Sequence, residues 1–181
     1  MANLCSFQMK VRGRQEDIEQ FYKALTQNGK IWMGRGADAD IEFEDDDLAN
    51  ITGTCKWSIQ SALIDNAISM KNHPERWYWG EGKTASDYEF ITLYQACHKW
   101  NLIMEVYSEE CGNQFQEHYI CDKNVILCED CVNWEEYWVD EYETKEEAEE
   151  ELGVKFTDEE RNTGSDDRIT RGGFDNWDFE I

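Results

Sequence analysis

The sequence predicts an α+β sandwich with helices on one face of a mainly antiparallel sheet, and three observations carry that expectation. Segments of alternating bulky and polar residues are separated early in the chain by stretches with apolar residues at helical spacing. The later stretch FQEHYICDKNVILCEDCVNW reads as two consecutive strands joined at Asp122-Lys123-Asn124. Finally, 40% hydrophobic and 13% aromatic residues in 181 supply the apolar mass for one core.

In chain order, Leu4 to Arg12 (LCSFQMKVR) alternates and is followed at once by glycine, which predicts a strand. RQEDIEQFYKALTQNG then places Ile18, Phe21, Tyr22 and Leu25 on one helical stripe, with acids in the first turn and Asn28-Gly29 as the stop. IWMGRGADADIEFEDDD predicts a hairpin ending in an acidic loop, and ITGTCKWS another short strand. SIQSALIDNAISM is expected to be helical with Ile59, Leu63, Ala67 and Met70 on one face. A loop rich in Trp and Tyr runs from His73 to Gly82, and Asp87 is expected to cap a helix carrying Phe90, Leu93, Tyr94, Cys97 and Trp100. LIMEVYSEE is a strand and CGN a turn. Thr144 to Leu152 has a capping Thr with Glu147 three residues on, closed by Gly153. This divides the chain into an α+β domain (1–142), an acidic helical extension (143–161) and an acidic, aromatic tail (162–181) whose composition predicts mobility.

The stretches NLCSFQMKVRG, GTCKWSIQSAL, LIMEVYSEECGNQFQEHYICDKN and EDCVNWEEYW resemble the YubB-like proteins of plasmids, phages and other mobile elements, over roughly residues 2 to 142. The resemblance implies a ferredoxin-like fold and a mobile-element origin, and it transfers no catalytic residues. The segment beyond Glu143 lies outside it.

The formal charge of −23 is unevenly placed: Cys128 to Ile181 hold 20 acids and 5 bases, net −15, which leaves −8 for the preceding residues. Such a field repels nucleic acid and anionic membrane and attracts basic surfaces. Direct nucleic-acid binding is therefore disfavoured, and the Lys10, Arg12, Arg14 cluster reads as an ordinary strand end rather than a phosphate track. No basic-then-apolar leader precedes Ala2 and no apolar run approaches the ~18 to 20 residues of a membrane span, so a bacterial host cytoplasm with free thiols is the expected location.

Chemistry-bearing clusters each have a plain alternative. Cys111, His118, Cys121, Cys128 and Cys131 are zinc-ligand types, but only Cys128 and Cys131 form a close pair, so buried or incidental thiols are preferred and no metal or cofactor is expected. Cys5, Cys55 and Cys97 read as core. Glu109, Glu110, Glu117 and His118 are candidates for one acid–base cleft, in a chain where carboxylates meet often by chance. No nucleophile motif or phosphate loop is present, and the chain is expected not to be an enzyme. Trp77, Tyr78 and Trp79 are either a partner anchor or core cover.

The acidic run CEDCVNWEEYWVDEYETKEEAEEE holds 12 carboxylates against one lysine. Carboxylates two apart on a strand lie ~6.6 to 6.8 Å apart, and those three or four apart on a helix ~5 to 6 Å at their bases, a spacing like that of phosphates along a nucleic-acid strand. The expectation is a non-enzymatic anti-defence inhibitor, of anti-CRISPR type and acting as a DNA mimic. Its target would be a basic nucleic-acid-handling host protein such as an RNA-guided nuclease of the Cas9 class. The expected carriers are Glu135, Glu136, Asp140, Glu141, Glu143, Glu146, Glu147, Glu149, Glu150 and Glu151, with Trp134, Trp138, Phe174 and Trp177 as anchors. Two alternatives remain open: a regulatory protein- or ligand-binding module whose acidity serves solubility, and a zinc-stabilised nucleic-acid binder.

Overall fold

The computed structural model describes residues 4–26, 31, 38–56, 58–64, 82, 84–123, 125–162, 168–174 and 176–181. β1 (Leu4–Arg12) buries every second side chain: Cys5, Phe7, Met9 and Val11 point to one face. α1 (Gln15–Leu25) packs its Ile18, Phe21 and Leu25 stripe on that face and ends as Thr26 N donates back to Tyr22 O. The chain returns as a hairpin of β2 (Asp38–Asp45) and β3 (Leu48–Lys56). Of the IWM strand, Ile31 alone is described, bridging in parallel to Glu89, and the Asn28-Gly29 stop lies outside the described residues.

A π-helical turn, Gln60–Ile64, begins the stretch expected to be helical; the rest of that stretch, with Ala67 and Met70, and the aromatic loop at Trp77–Trp79 lie outside the described residues. The next helix differs from its expected start. Asp87 closes a 3-10 turn, Ala85–Asp87, its carboxylate accepting from Thr84 N at 2.7 Å. α2 (Leu93–Trp100) begins five residues beyond Tyr88 because Thr92 and Gln95 satisfy each other's amides in a reciprocal capping box, which leaves Phe90 outside the helix and Tyr94 on its exposed side.

β4 (Ile103–Glu110), β5 (Phe115–Cys121) and β6 (Ile126–Trp138) form the meander, and β7 (Arg168–Gly172) completes a seven-stranded sheet in the order β2-β3-β1-β4-β5-β6-β7 with every neighbour antiparallel. The connections β1–α1–β2 and β3 to β4 through α2 each skip one strand, so they interleave. Both helices lie on one face and enclose the main core, where Phe21 and Trp100 meet at 5.5 Å. Each large apolar side chain buried there contributes about 1.5 to 3 kcal/mol.

The last third corrects the sequence reading. β6 runs on through Trp134–Trp138 because β7 pairs with that half (Glu136 opposite Thr170), so residues expected to be mobile contribute a strand. A second, small core of Val139, Ala148, Phe156 and Ile169 forms there, to which α3 (Lys145–Leu152) contributes Ala148, while α4 (Asp158–Asn162) is tied alongside through Arg161 and Glu160.

Candidate interaction surface

The acidic lobe built on β6, α3, α4 and β7 owes its shape to its few cations. Lys155 donates to Glu149 at 3.0 Å, and Arg161 donates to the same carboxylate through Nε at 2.9 Å and through Nη2. The Phe156 amide adds a third kind of donor at 2.7 Å, so Glu149 is 3% exposed yet fully partnered. Arg171 forks onto Glu160 at 2.8 and 2.7 Å while its guanidinium lies over Tyr137 and Phe156. Lys145 donates to Glu160 O, and Arg168 sits 2.7 Å from Glu136 and over Trp138. These are all five bases of the chain beyond Cys128, and each is engaged inside the lobe.

The carboxylates left over face outward. Glu135, Asp140, Glu141, Glu143, Glu146, Glu147, Glu150 and Glu151 are exposed, and among the described residues none of them forms an ion pair. Thr144 Oγ1 caps α3 by accepting from Glu147 N, and the Glu147 carboxylate reaches past Thr144 to the amide of Glu143. Gly153, at φ +70°, ends the helix. The exposed acids are thus held on packed backbone.

Five of the expected carriers and anchors stand elsewhere. Glu149 is an internal hub and Glu136 a half-buried partner of Arg168, because both sit on the inward side of their elements. Trp134 is 6% exposed, covered where the chain crosses at Gly172 and Gly173, whereas Trp138 is 55% exposed and donates Nε1 to Glu136 at 3.1 Å. Phe174 and Trp177 pack on Tyr107 of β4, at 5.6 and 5.7 Å between ring centres. Trp138 is therefore the one expected anchor with a largely exposed ring. Exposed Asp158 and Glu159 extend the acidic surface; their place in α4, beside the Arg161 hub, gave no local signal.

The other clusters resolve into separate structural tasks. Register places Glu117 on the helix-facing side of the sheet with Ser108 and Tyr119, and His118 on the opposite side with Tyr107 and Asp130, so no acid–base cleft forms from Glu117 and His118. Glu110 accepts from the Gly112 and Asn113 amides and holds the β4–β5 turn; Glu109 accepts from Gln116 and the Cys111 thiol. Among the described residues no metal-binding group occurs, and Cys121 and His118 lie on opposite faces of β5; the Cys128 side chain lies outside those described. Burial pushes the Cys97 thiol up, and contact with Cys5 followed by burial does the same for Cys55, leaving both in the inert protonated form. Lys10, Arg12 and Arg14 each pair with an acid, Glu44, Asp47 and Asp17.

The hub carboxylates carry a pH dependence. Donation from Lys155, then from the Phe156 amide and Arg161, holds Glu149 down to about 2, and Arg171 followed by Thr157 holds Glu160 down to about 2, against 4.5 in an unfolded chain. A carboxylate lowered on folding stabilises fully above its unfolded value, and that stability fades as pH falls from there toward the folded value. The lobe is therefore expected to loosen between about pH 4.5 and 2, read from the fluorescence of Trp134 and Trp138. A Glu149→Gln, Glu160→Gln variant should lose that transition; an acid transition unchanged in the variant refutes the assignment.

No family model, curated protein or solved structure matches the chain.

Proposed function

We propose that this protein is a non-enzymatic inhibitor that offers a fixed acidic surface to a basic, nucleic-acid-binding groove. The observation that carries the reading is the division of charge in the lobe: every base beyond Cys128 is engaged internally, and eight of the expected carboxylates stand outward with no cation at ion-pair distance among the described residues. A mimic of phosphate needs many negative charges in a held shape, and it gains from the same counterion release that drives nucleic-acid binding. Trp138, exposed at the end of β6 just before Asp140 and Glu141 in the chain, adds an exposed aromatic to the acidic lobe, the residue type that dominates interface energies.

The order β2-β3-β1-β4 with interleaved crossovers supports a ferredoxin-like reading of the first four strands. That agrees with the resemblance to mobile-element proteins, and an anti-defence role against an RNA-guided nuclease in the bacterial cytoplasm follows as the most specific form of the proposal. No helix among the described residues is long and apolar enough to cross a membrane. The regulatory-module alternative, which uses the sheet as its recognition surface, is less favoured because it leaves the outward acids of the lobe with no role beyond solubility.

Binding to a purified Cas9-class effector tests the reading. The complex is expected to weaken steeply between 50 and about 200 mM salt, as phosphate-type contacts do, and to be displaced by duplex DNA. Binding that is indifferent to salt, or a stable complex that still holds DNA in the same groove, rejects it.

A further inference from the structure

Residues 173, 174 and 176–181 cross the face of β4 and β5 opposite α1 and α2, and the face beneath them is built to receive main chain. Glu105 is 0% exposed, on a sheet position flanked by Ile103 and Ile120, where an apolar side chain would serve as cover. A buried carboxylate there is costly unless its lone pairs are filled. They are filled: the amides of Glu180 and Ile181 donate to Oε2 at 2.6 and 3.1 Å, and His118 Nε2 lies 2.8 Å from Oε1. Gln116 Oε1 accepts from the Phe174 amide at 2.6 Å, and the Tyr107 hydroxyl donates to Asp178 O at 3.2 Å. These contacts read backbone.

The rings read sequence. Tyr107 stacks on His118 at 4.0 Å and 7°, lies nearly parallel to Trp177 at 13°, and receives Phe174 and Phe179 edge-on at 83° and 82°. Lys10 lies 5.6 Å above the Phe179 ring. The segment hangs from Gly172 and Gly173, both with left-handed φ of +76° and +77°, where the chain leaves β7. No residue from Phe174 onward belongs to the β7 ladder or to either apolar core.

We propose that this face is a docking site for an extended aromatic–acidic peptide of the pattern Phe-x-x-Trp-x-Phe-acid-aliphatic, with the chain's own residues 174–181 as its resident occupant. A partner segment of that chemistry displaces the occupant and takes over the same amide clasp at Glu105. This is independent of the acidic lobe's role. Because the resident segment competes from the same molecule, affinity in trans is reduced by the fraction of time the face is open.

The test uses a fluorescent peptide of residues 173–181, a scrambled control, the full chain, and the full chain carrying Trp177→Ala and Phe179→Ala. The peptide is expected to bind the variant at least tenfold more tightly than the unaltered chain, and the scrambled peptide to bind neither. No difference between the two peptides on a variant with native circular dichroism overturns the proposal. Should the variant fail to fold, amide exchange of the unaltered chain decides. Glu180 and Ile181 are expected to exchange at least a hundredfold more slowly than in the free peptide, and to lose that protection in excess peptide. Exchange at free-peptide rates, or protection untouched by excess peptide, overturns it.

Discussion

Glu117→Ala is expected to remove about 4 kcal/mol of stability, an order-of-magnitude figure large against the ~5 to 15 kcal/mol that hold a domain together. Glu117 is 1% exposed and accepts four hydrogen bonds: from Ile59 N at 2.8 Å, Gln60 N at 3.1 Å, Ser108 Oγ at 2.6 Å and Tyr119 OH at 3.3 Å. The two amides open the π-helical turn, and alanine removes the carboxylate to which both donate; a buried donor left unmet costs about 1 to 3 kcal/mol. The hydroxyls rotate and recover part of their loss. The same carboxylate, after burial itself, raises the Tyr119 phenol above its ordinary value. Glu117→Gln keeps one acceptor oxygen and presents an NH2 to the remaining donors, so an intermediate loss of about 2 kcal/mol is expected. Urea unfolding followed by near-UV circular dichroism measures both; a loss under about 1 kcal/mol for the alanine variant contradicts the role given to this residue.

Reversal of Glu143, Glu146, Glu150 and Glu151 to lysine is expected to abolish partner binding while leaving the fold intact. The change takes the formal charge from −23 to −15, two units for each of four residues. An exposed ion pair contributes about 0.5 kcal/mol, and reversal replaces attraction by repulsion of similar size, so four positions come to about 4 kcal/mol, roughly a thousandfold in Kd. The lobe should tolerate the change, since none of these four carboxylates forms an ion pair among the described residues, and lysine at positions 150 and 151, in the last turn of α3, favours its dipole and offsets the opposite effect at position 146 in the first turn. Titration of a fixed basic effector with both proteins, alongside thermal unfolding, gives the comparison. Equal affinities remove the acidic lobe from consideration.

What was legible in the sequence was local. The alternation of Cys5, Phe7, Met9 and Val11, the stripe of Ile18, Phe21 and Leu25, and the Thr144 cap each state their geometry within a few residues. What was hidden depends on distant pairing. Trp134-Glu135-Glu136-Tyr137-Trp138 has no apolar alternation, and it is a strand because Arg168–Gly172 lies alongside it. Two capping candidates compete before α2, and Thr92 prevails over Asp87 through a reciprocal bond with Gln95 that composition does not rank. Acids read alike in a sequence; Glu149 differs from Glu150 only because Lys155, Arg161 and the Phe156 amide converge on it. The receptor for Trp177 and Phe179 is likewise assembled from Tyr107, His118 and Glu105 on two strands far upstream.

β6 is thirteen residues long and belongs to both halves of the molecule: its first part is laddered to β5 and its second to β7. One uninterrupted beam thus joins the acidic lobe to the rest, and swivelling between them requires hydrogen bonds to break. A partner that grips only the lobe accordingly holds the whole sheet at a fixed bearing, so a small foothold carries a bulky obstruction into the neighbouring space.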